Sequence, residues 1–392
     1  AWTDGPAAGP EFYTEGFGPG KDLAITGAIA ANRSINHSLG GNLAWDGPGG
    51  LRLTLDAHHS TAESKPTTPW GSNIAVGSAI FGVQNQTVDF TSDMPVITAN
   101  MYPGSEIDAA NIRPAGNAFR NAYMRDRINE LSLKGGYDFD LSFIDSIDFG
   151  VTATDNKIRS AYGFIQNDTW GGTLSAAETP DDIYELVDLP NDLSGMSGSN
   201  DSSIIPDYFR VDTERLIELL EEQRSICSEP VSGDPIPGTC LAVFRTDRRI
   251  REKTIAPYIQ SNHTFDLFNE PAHLRLGLRY ERTKINSSAV VPTPIGTAWV
   301  GDNEISIINE GNTLETRKGK YSHWLPAIDF DMAPMRDVKL RASYSHTITR
   351  PGYASMQGGL ELASPIRVGG STAALGDPNL VPYKSKNIDL SA

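Results

Sequence analysis

Long apolar runs are missing from this chain. The longest, Leu23 to Ala31, is interrupted by Thr26 and Gly27, and a spanning helix needs about 20 apolar residues. With 39% hydrophobic residues and a mean hydropathy of −0.32, a helical membrane protein is excluded. A membrane barrel is not, because it crosses with strands of about ten residues whose inward side chains can be polar. Cysteine is nearly absent: Cys227 and Cys240 are the only two, which excludes a disulfide scaffold and a cysteine-based metal protein. Positive charge is short as well. Against 49 Asp and Glu stand 33 Lys and Arg, for a net charge of −16. Nucleic acid is therefore not an expected partner, since binding phosphate backbones takes a basic surface.

Chemistry-bearing constellations are equally scarce. His58 and His59 are adjacent, so on a strand they point to opposite faces and cannot chelate one ion. Asp181 and Asp182 sit among other acids without the spacing of a calcium loop. No Ser/His/Asp set, phosphate loop or zinc spacing is present. No catalytic residue, cofactor or metal site is expected, and the chain does not read as an enzyme.

What is present is alternation with period two. Leu274, Leu276, Leu278 and Tyr280 alternate with Arg275, Gly277, Arg279 and Glu281. Val338, Leu340, Ala342 and Tyr344 alternate with Lys339, Arg341, Ser343 and Ser345. The same pattern runs through Ile147 to Thr154 and Leu51 to His58. Each strand thus carries one apolar and one polar face. The connections alternate too. Short ones fall near Asp46 to Gly50, Phe139 to Ser146, Asn269 to Pro271 and Ala333 to Arg336; long ones cover 64–126, 160–246, 288–316 and 349–382. Short turns at one end and long loops at the other describe a transmembrane barrel. The fold class expected is all-β, an antiparallel transmembrane β-barrel wall. Strands 36–46, 128–139, 248–267, 318–331 and 382–392 run toward the short turns, and 51–63, 147–158, 273–287 and 337–348 run away from them. Segment 22–33 extends the strand after it, and 72–90 forms a hairpin within a loop. Trp45, Phe139, Phe265, Phe268, Tyr321, Trp324 and Phe330 fall near strand ends, where aromatic girdles lie.

The segment 160–246 is expected to be one long acidic extracellular loop. Residues 161–246 hold sixteen Asp and Glu against four Lys and Arg. Within it Asp212 or Thr213 caps a helix whose stripe is Leu216, Ile217, Leu219 and Leu220. That stripe is expected to pack on the barrel rim. Cys227 and Cys240 lie in the same loop, and an oxidising exterior favours a stapling disulfide, with two free thiols as the alternative. Trp70, Trp170 and Trp299 fall in loops. Their flat rings suit a sugar or a conjugated siderophore, and local packing is the competing role.

Three motifs in the last third carry a resemblance. Arg341 to Tyr353 reads RASYSHTITRPGY, Leu325 to Phe330 reads LPAIDF, and Gly376 to Leu390 reads GDPNLVPYKSKNIDL. In order and spacing they resemble the barrel of TonB-dependent receptors, in the proteobacterial branch with long outer loops. The likeness extends more loosely back to about residue 21. Asp377 and Tyr383 depart from the residues common in the family at those positions. The resemblance implies a 22-stranded barrel, of which residues 1–392 would be a partial wall, with the N-terminal plug and the final strands outside it. Neither Ala1 to Asp4 nor Asn387 to Ala392 looks like a natural terminus, so both ends are expected to be cut. The resemblance also implies a monomeric barrel in the outer membrane of a Gram-negative bacterium, among outer-membrane lipid and lipopolysaccharide. The TonB complex would act on the plug to drive uptake of a scarce nutrient, an oligosaccharide or an iron-siderophore. Arg350 and Tyr353, at a strand exit, are the further substrate candidates. A passive porin-like channel or an adhesin barrel is the alternative, and an outer-membrane enzyme or a soluble glycan-binding β-protein are the remaining classes.

Overall fold

A computed structural model describes residues 3, 8–92, 94–141, 143–168, 174–188, 195–197, 199–202, 204–230, 232–301, 304–335, 337–362, 366–367, 370 and 372–392. The strands are Phe12–Gly16 (β1), Asp22–Ala30 (β2), Asn32–Asp46 (β3), Leu51–Pro66 (β4), Asn73–Phe81 (β5), Val83–Asp89 (β6), Val96–Met101 (β7), Arg113–Asp138 (β8) and Ser146–Asp168 (β9). They continue as Tyr184–Asp188 (β10), Asp207–Val211 (β11), Thr246–Leu267 (β12), Glu270–Gly301 (β13), Glu304–Met335 (β14) and Val338–Thr349 (β15). Three two-residue strands follow, Glu361–Leu362 (β16), Ile366–Arg367 (β17) and Ala373–Ala374 (β18), before Tyr383–Ser391 (β19). Among the described residues the α-helices are Thr213–Arg224 (α1) and the single turn Tyr353–Met356 (α2). Among the described residues no helix is long and apolar enough to cross a membrane.

The chain divides into two compact units. Unit 1 comprises Ala1–Asn32, Pro66–Ala122 and Gly163–Phe244; unit 2 comprises Arg33–Lys65, Tyr123–Tyr162 and Arg245–Ala392.

Unit 2 is the wall. Its sheet runs in the order β19-β15-β14-β13-β12-β9-β8-β4-β3; from β19 to β9, and between β8 and β4, neighbours are antiparallel. The short turns are set by backbone chirality. Leu267 pairs with Glu270, and between them Phe268 and Asn269 both hold positive φ, 56° and 61°. That is the turn whose twist matches a hairpin, and Asn tolerates it better than Phe. The turn therefore lies one residue earlier than the sequence suggested, because Pro271 is already paired, with Asp266. Pro257 has no N–H to donate, and the β12–β13 register skips from Ile255 to Tyr258. β12 carries buried Ile250, Glu252, Thr254 and Ala256 on one face and exposed Arg251, Lys253, Ile255 and Pro257 on the other.

Two of the long connections are more ordered than their sequence suggested. Segment 288–316 is a ribbon: β13 and β14 stay paired up to Gly301 and Glu304, with register shifts around Pro292 and Pro294. The backbone hydrogen bonds of a projecting segment are best met by extending the hairpin, and the prolines cost only local irregularity. Segment 64–126 contains β5, which pairs with β2 and with the start of β8.

Unit 1 gathers its own core. Ile74, Ile80, Ile112, Phe119 and Ile165 are fully buried together with Leu216, Ile217 and Leu220 of α1. The helix stripe thus packs inside this unit, in one cluster with Phe119 of β8 and Ile165 of β9. The Asp212 carboxylate accepts from Arg215 N at 3.2 Å, capping α1, and Ser225 closes it with φ 54°. Cys227 and Cys240 are bonded, Cα to Cα 4.5 Å, and both are buried in this core.

Candidate functional site: a charged clasp on the buried face of the wall

The strand exit after β15 turns back onto the buried face of unit 2. Pro351 ends β15, since it cannot donate to a ladder, and Arg350 is left pointing at two carboxylates. Its Nη1 donates to Glu252 Oε1 at 2.8 Å and its Nη2 to Glu281 Oε1 at 2.5 Å. Glu252 and Glu281 are 3% and 6% exposed; Arg350 serves both buried acids, and Arg279 Nη2 also donates to Glu281 Oε2 at 3.4 Å. Charged groups so placed need a partner of opposite sign to remain ionised.

The rest of the exit is pinned close by. Tyr353 Oη accepts from Asn156 Nδ2 at 2.8 Å, Gln357 Nε2 donates to Ser160 Oγ at 2.9 Å, and Gly358 N donates to Ser287 Oγ at 2.7 Å. Met356 is buried against Ile250, Ile285 and Tyr321, with Tyr353 packed alongside. Gly359, at φ +100°, brings the backbone against β13: a Cβ there would meet Val291 Cγ1 at 2.5 Å and Ala289 Cβ at 3.0 Å. Only glycine allows both that approach and that dihedral.

A membrane-spanning stretch is about ten residues from each short turn, and Glu252 lies beyond it on β12. Burial pushes the Glu252 carboxyl above the usual range; Arg350 pulls it down and Glu281 pushes it up. Burial by itself would lower the Arg350 value, but the hydrogen bond to Glu281 and the two carboxylate charges outweigh it, so Arg350 is held protonated. Among the described residues Glu252 Oε2 is buried with no hydrogen-bond partner.

The structure brings two of the five substrate candidates together. Arg350 and Tyr353 share the clasp. Trp299, at 65% exposure, stands on the far part of β13 opposite Ile305. Trp70 belongs to unit 1, where it is half-buried and packs on the apolar core. Trp170 lies outside the described residues. The clasp's carboxylates were not singled out from sequence. Glu281 stood on the polar face of an alternating strand, which is the available signal, but its pairing with Arg350 across 69 residues is a tertiary fact. Among the described residues no group of His, Cys, Asp and Glu could hold a metal ion.

A family model described as TonB dependent receptor-like, beta-barrel, matches residues 70–392. The chain belongs to this family. No curated protein and no solved structure matches it. The match covers all of β5 to β19, hence the clasp, Trp299 and the disulfide. Proteins of this TonB-dependent receptor family carry out transport at the outer membrane of Gram-negative bacteria.

Proposed function

We propose that this TonB-dependent receptor takes up a neutral or weakly charged oligosaccharide, with a ferric siderophore as the competing substrate. The observation that carries the reading is the charge of the ligand-facing chemistry. The segment 161–246 has a net −12, and on the buried face of the wall Arg350 and Arg279 are committed to Glu252 and Glu281, among hydroxyls and amides. Such surroundings hydrogen-bond sugar hydroxyls and repel a polyanion. Exposed Trp299 adds a flat surface of the kind that stacks on a sugar ring. The clasp fixes the exit loop 350–360, so Arg350 and Tyr353 act by holding a loop in place. Energy for uptake comes through the TonB complex acting on a plug, with the barrel a monomer among outer-membrane lipid and lipopolysaccharide.

The test is uptake and equilibrium binding by the full-length receptor in the presence of neutral oligosaccharides and of ferric siderophores. Saturable, TonB-dependent uptake of a sugar, weakened by roughly tenfold in binding on Trp299→Ala, is the expected outcome; stacking of this kind is worth about 1 kcal/mol. Binding of a ferric siderophore with no sugar response would replace this reading with the second one.

A further inference from the structure

The hydrogen bonds of the clasp leave two oxygen atoms over. Glu252 on β12 stands directly opposite Asn156 on β9. Opposed side chains on neighbouring strands share a face, with Cβ atoms about 5 Å apart. Glu252 Oε1 accepts from Arg350, and Asn156 Nδ2 donates to Tyr353 Oη, which orients the amide. Glu252 Oε2 and Asn156 Oδ1 are both buried, and among the described residues neither has a hydrogen-bond partner. An ionised carboxylate and an amide oxygen are both acceptors, so they have no hydrogen to share. One proton on Oε2 turns the two into a donor and an acceptor. It satisfies two buried groups at once, and leaving such groups unpaired is costly.

The charge around the clasp calls for the same particle. Glu252 faces Arg350 of the exit loop, Glu281 of β13, Tyr321 of β14 and Tyr353 of α2. Asp126 of β8 acts on Tyr353 from its own strand, and His323 of β14 stands opposite Glu281. On β12 itself the neighbours on the buried face, Ile250 and Thr254, carry no charge. The carboxylates of Asp126, Glu252 and Glu281 are thus set against the guanidiniums of Arg279 and Arg350. Glu281 receives both guanidiniums, whereas Glu252 has a share of Arg350 alone. Asp126 is only half-buried, and Glu252 is 3% exposed. Glu252 is therefore the acid whose ionised form is least compensated.

We propose that Glu252 is a proton-binding site, and that its proton holds the exit loop 350–360 on the wall. The loop is held most firmly in acid and loosens as pH rises. Burial sets that sign. In the closed state burial raises the Glu252 carboxyl above its ordinary range, and release of the loop returns it to water. A group that binds its proton more tightly when closed favours closure at low pH, and that contribution is lost as pH rises through the closed-state value. One proton changes the ratio of open to closed loop by at most about tenfold per pH unit. Arg350 keeps its bond throughout, because Oε1 accepts in either protonation state. The inference goes beyond the substrate reading and does not rest on it, since every group in the clasp belongs to this chain.

The test uses the full-length receptor in detergent, with a nitroxide attached through Ala354→Cys at an exposed position of the loop. Cys227 and Cys240 are bonded to each other and do not take the label. The mobile fraction of the nitroxide is read between about pH 4 and pH 8. In the wild type it is expected to rise with pH. Glu252→Gln supplies a permanent donor to Asn156 Oδ1 and keeps an acceptor for Arg350. It is expected to hold the loop closed at every pH. Asp126→Asn and His323→Gln are expected to keep the pH dependence. Loss of it in either one places the proton elsewhere and overturns the assignment to Glu252. A wild-type loop whose mobility ignores pH overturns the proposal, the result expected if a water joined the two oxygens instead. Heat-modifiable migration checks that each variant keeps its wall. Should Glu252→Gln fail that check, infrared spectroscopy of the wild type decides. A protonated carboxyl that persists above the ordinary carboxylate range of about 4 supports the site, and its absence overturns it.

Discussion

The two units solve the burial of apolar surface in opposite ways. Unit 1 folds like a small soluble domain: Phe119, Ile165, Leu216 and their neighbours face inward, a capped helix seals the core, and a disulfide crosses it. Unit 2 is inverted. Its exposed large side chains include Ile259, Leu276, Leu278, Trp324 and Ile328, whereas Glu252, Thr254, Glu281, Thr283 and Ser287 are buried. In unit 1 the protein removes its own apolar groups from water. In unit 2 lipid does so, and the protein's interior has to satisfy polar groups instead. Stability in the first therefore depends on packing, and in the second on paired charges and an unbroken ladder of backbone hydrogen bonds.

The contrast can be broken by truncating apolar side chains in each unit. Phe119→Ala in unit 1 is expected to cost about 3–5 kcal/mol, the usual loss for emptying a packed aromatic site. Leu278→Ala on the wall is expected to cost under about 1 kcal/mol, since lipid or detergent fills the space. Urea titration of the full-length receptor, read by proteolysis of the 160–246 segment and by heat-modifiable migration, separates the two. Equal losses would show that unit 2 is packed like unit 1.

Removing the disulfide is the next largest effect. Cys227→Ser with Cys240→Ser, across a sequence separation of 13, is expected to lower the stability of unit 1 by about 3 kcal/mol through chain entropy. Migration of the wall on cold electrophoresis should not change. A variant that loses both readouts together would mean that the units unfold as one.

The clasp sharpens the same comparison from the side of unit 2. Arg350→Met leaves Glu252 buried without its cation and Glu281 with only the longer contact to Arg279, 3.4 Å. Breaking a fully buried pair costs about 3–5 kcal/mol, and partial solvation of the guanidinium reduces this to about 2 kcal/mol. Adding Glu252→Gln and Glu281→Gln to that variant should recover most of the loss, as judged by protease protection of residues 350–360. No recovery would assign the loss to packing around Tyr353 and Met356, and not to charge.

Several elements were legible in advance because they rest on local periodicity. The alternation from Leu274 to Glu281 and from Val338 to Ser345 marks strands whatever they pair with, and the cap and stripe of α1 stand in consecutive residues. Other features were not legible. Residues 288–316 have prolines and a polar composition that suggest a loop, yet pairing between β13 and β14 keeps 288–301 and 304–316 in strands across several register shifts. Trp70 is an aromatic in a connection, and only the packing of unit 1 turns it inward. The lysines at 253, 284 and 320 are in phase with the apolar residues of their own strands, a pattern visible along each strand. Their alignment into one row depends on register between three strands.

By itself the sequence determined the all-β class, the alternation of short turns and long connections, and the family motifs between Leu325 and Leu390, because each is written in neighbouring residues and their two-residue period. Tertiary structure alone decided that residues from three separate stretches condense into unit 1, that Arg350 closes on Glu252 and Glu281, and that three lysines meet on the exposed face. Those contacts join positions far apart in the chain, and nothing local sets their distance until the strands have found their register.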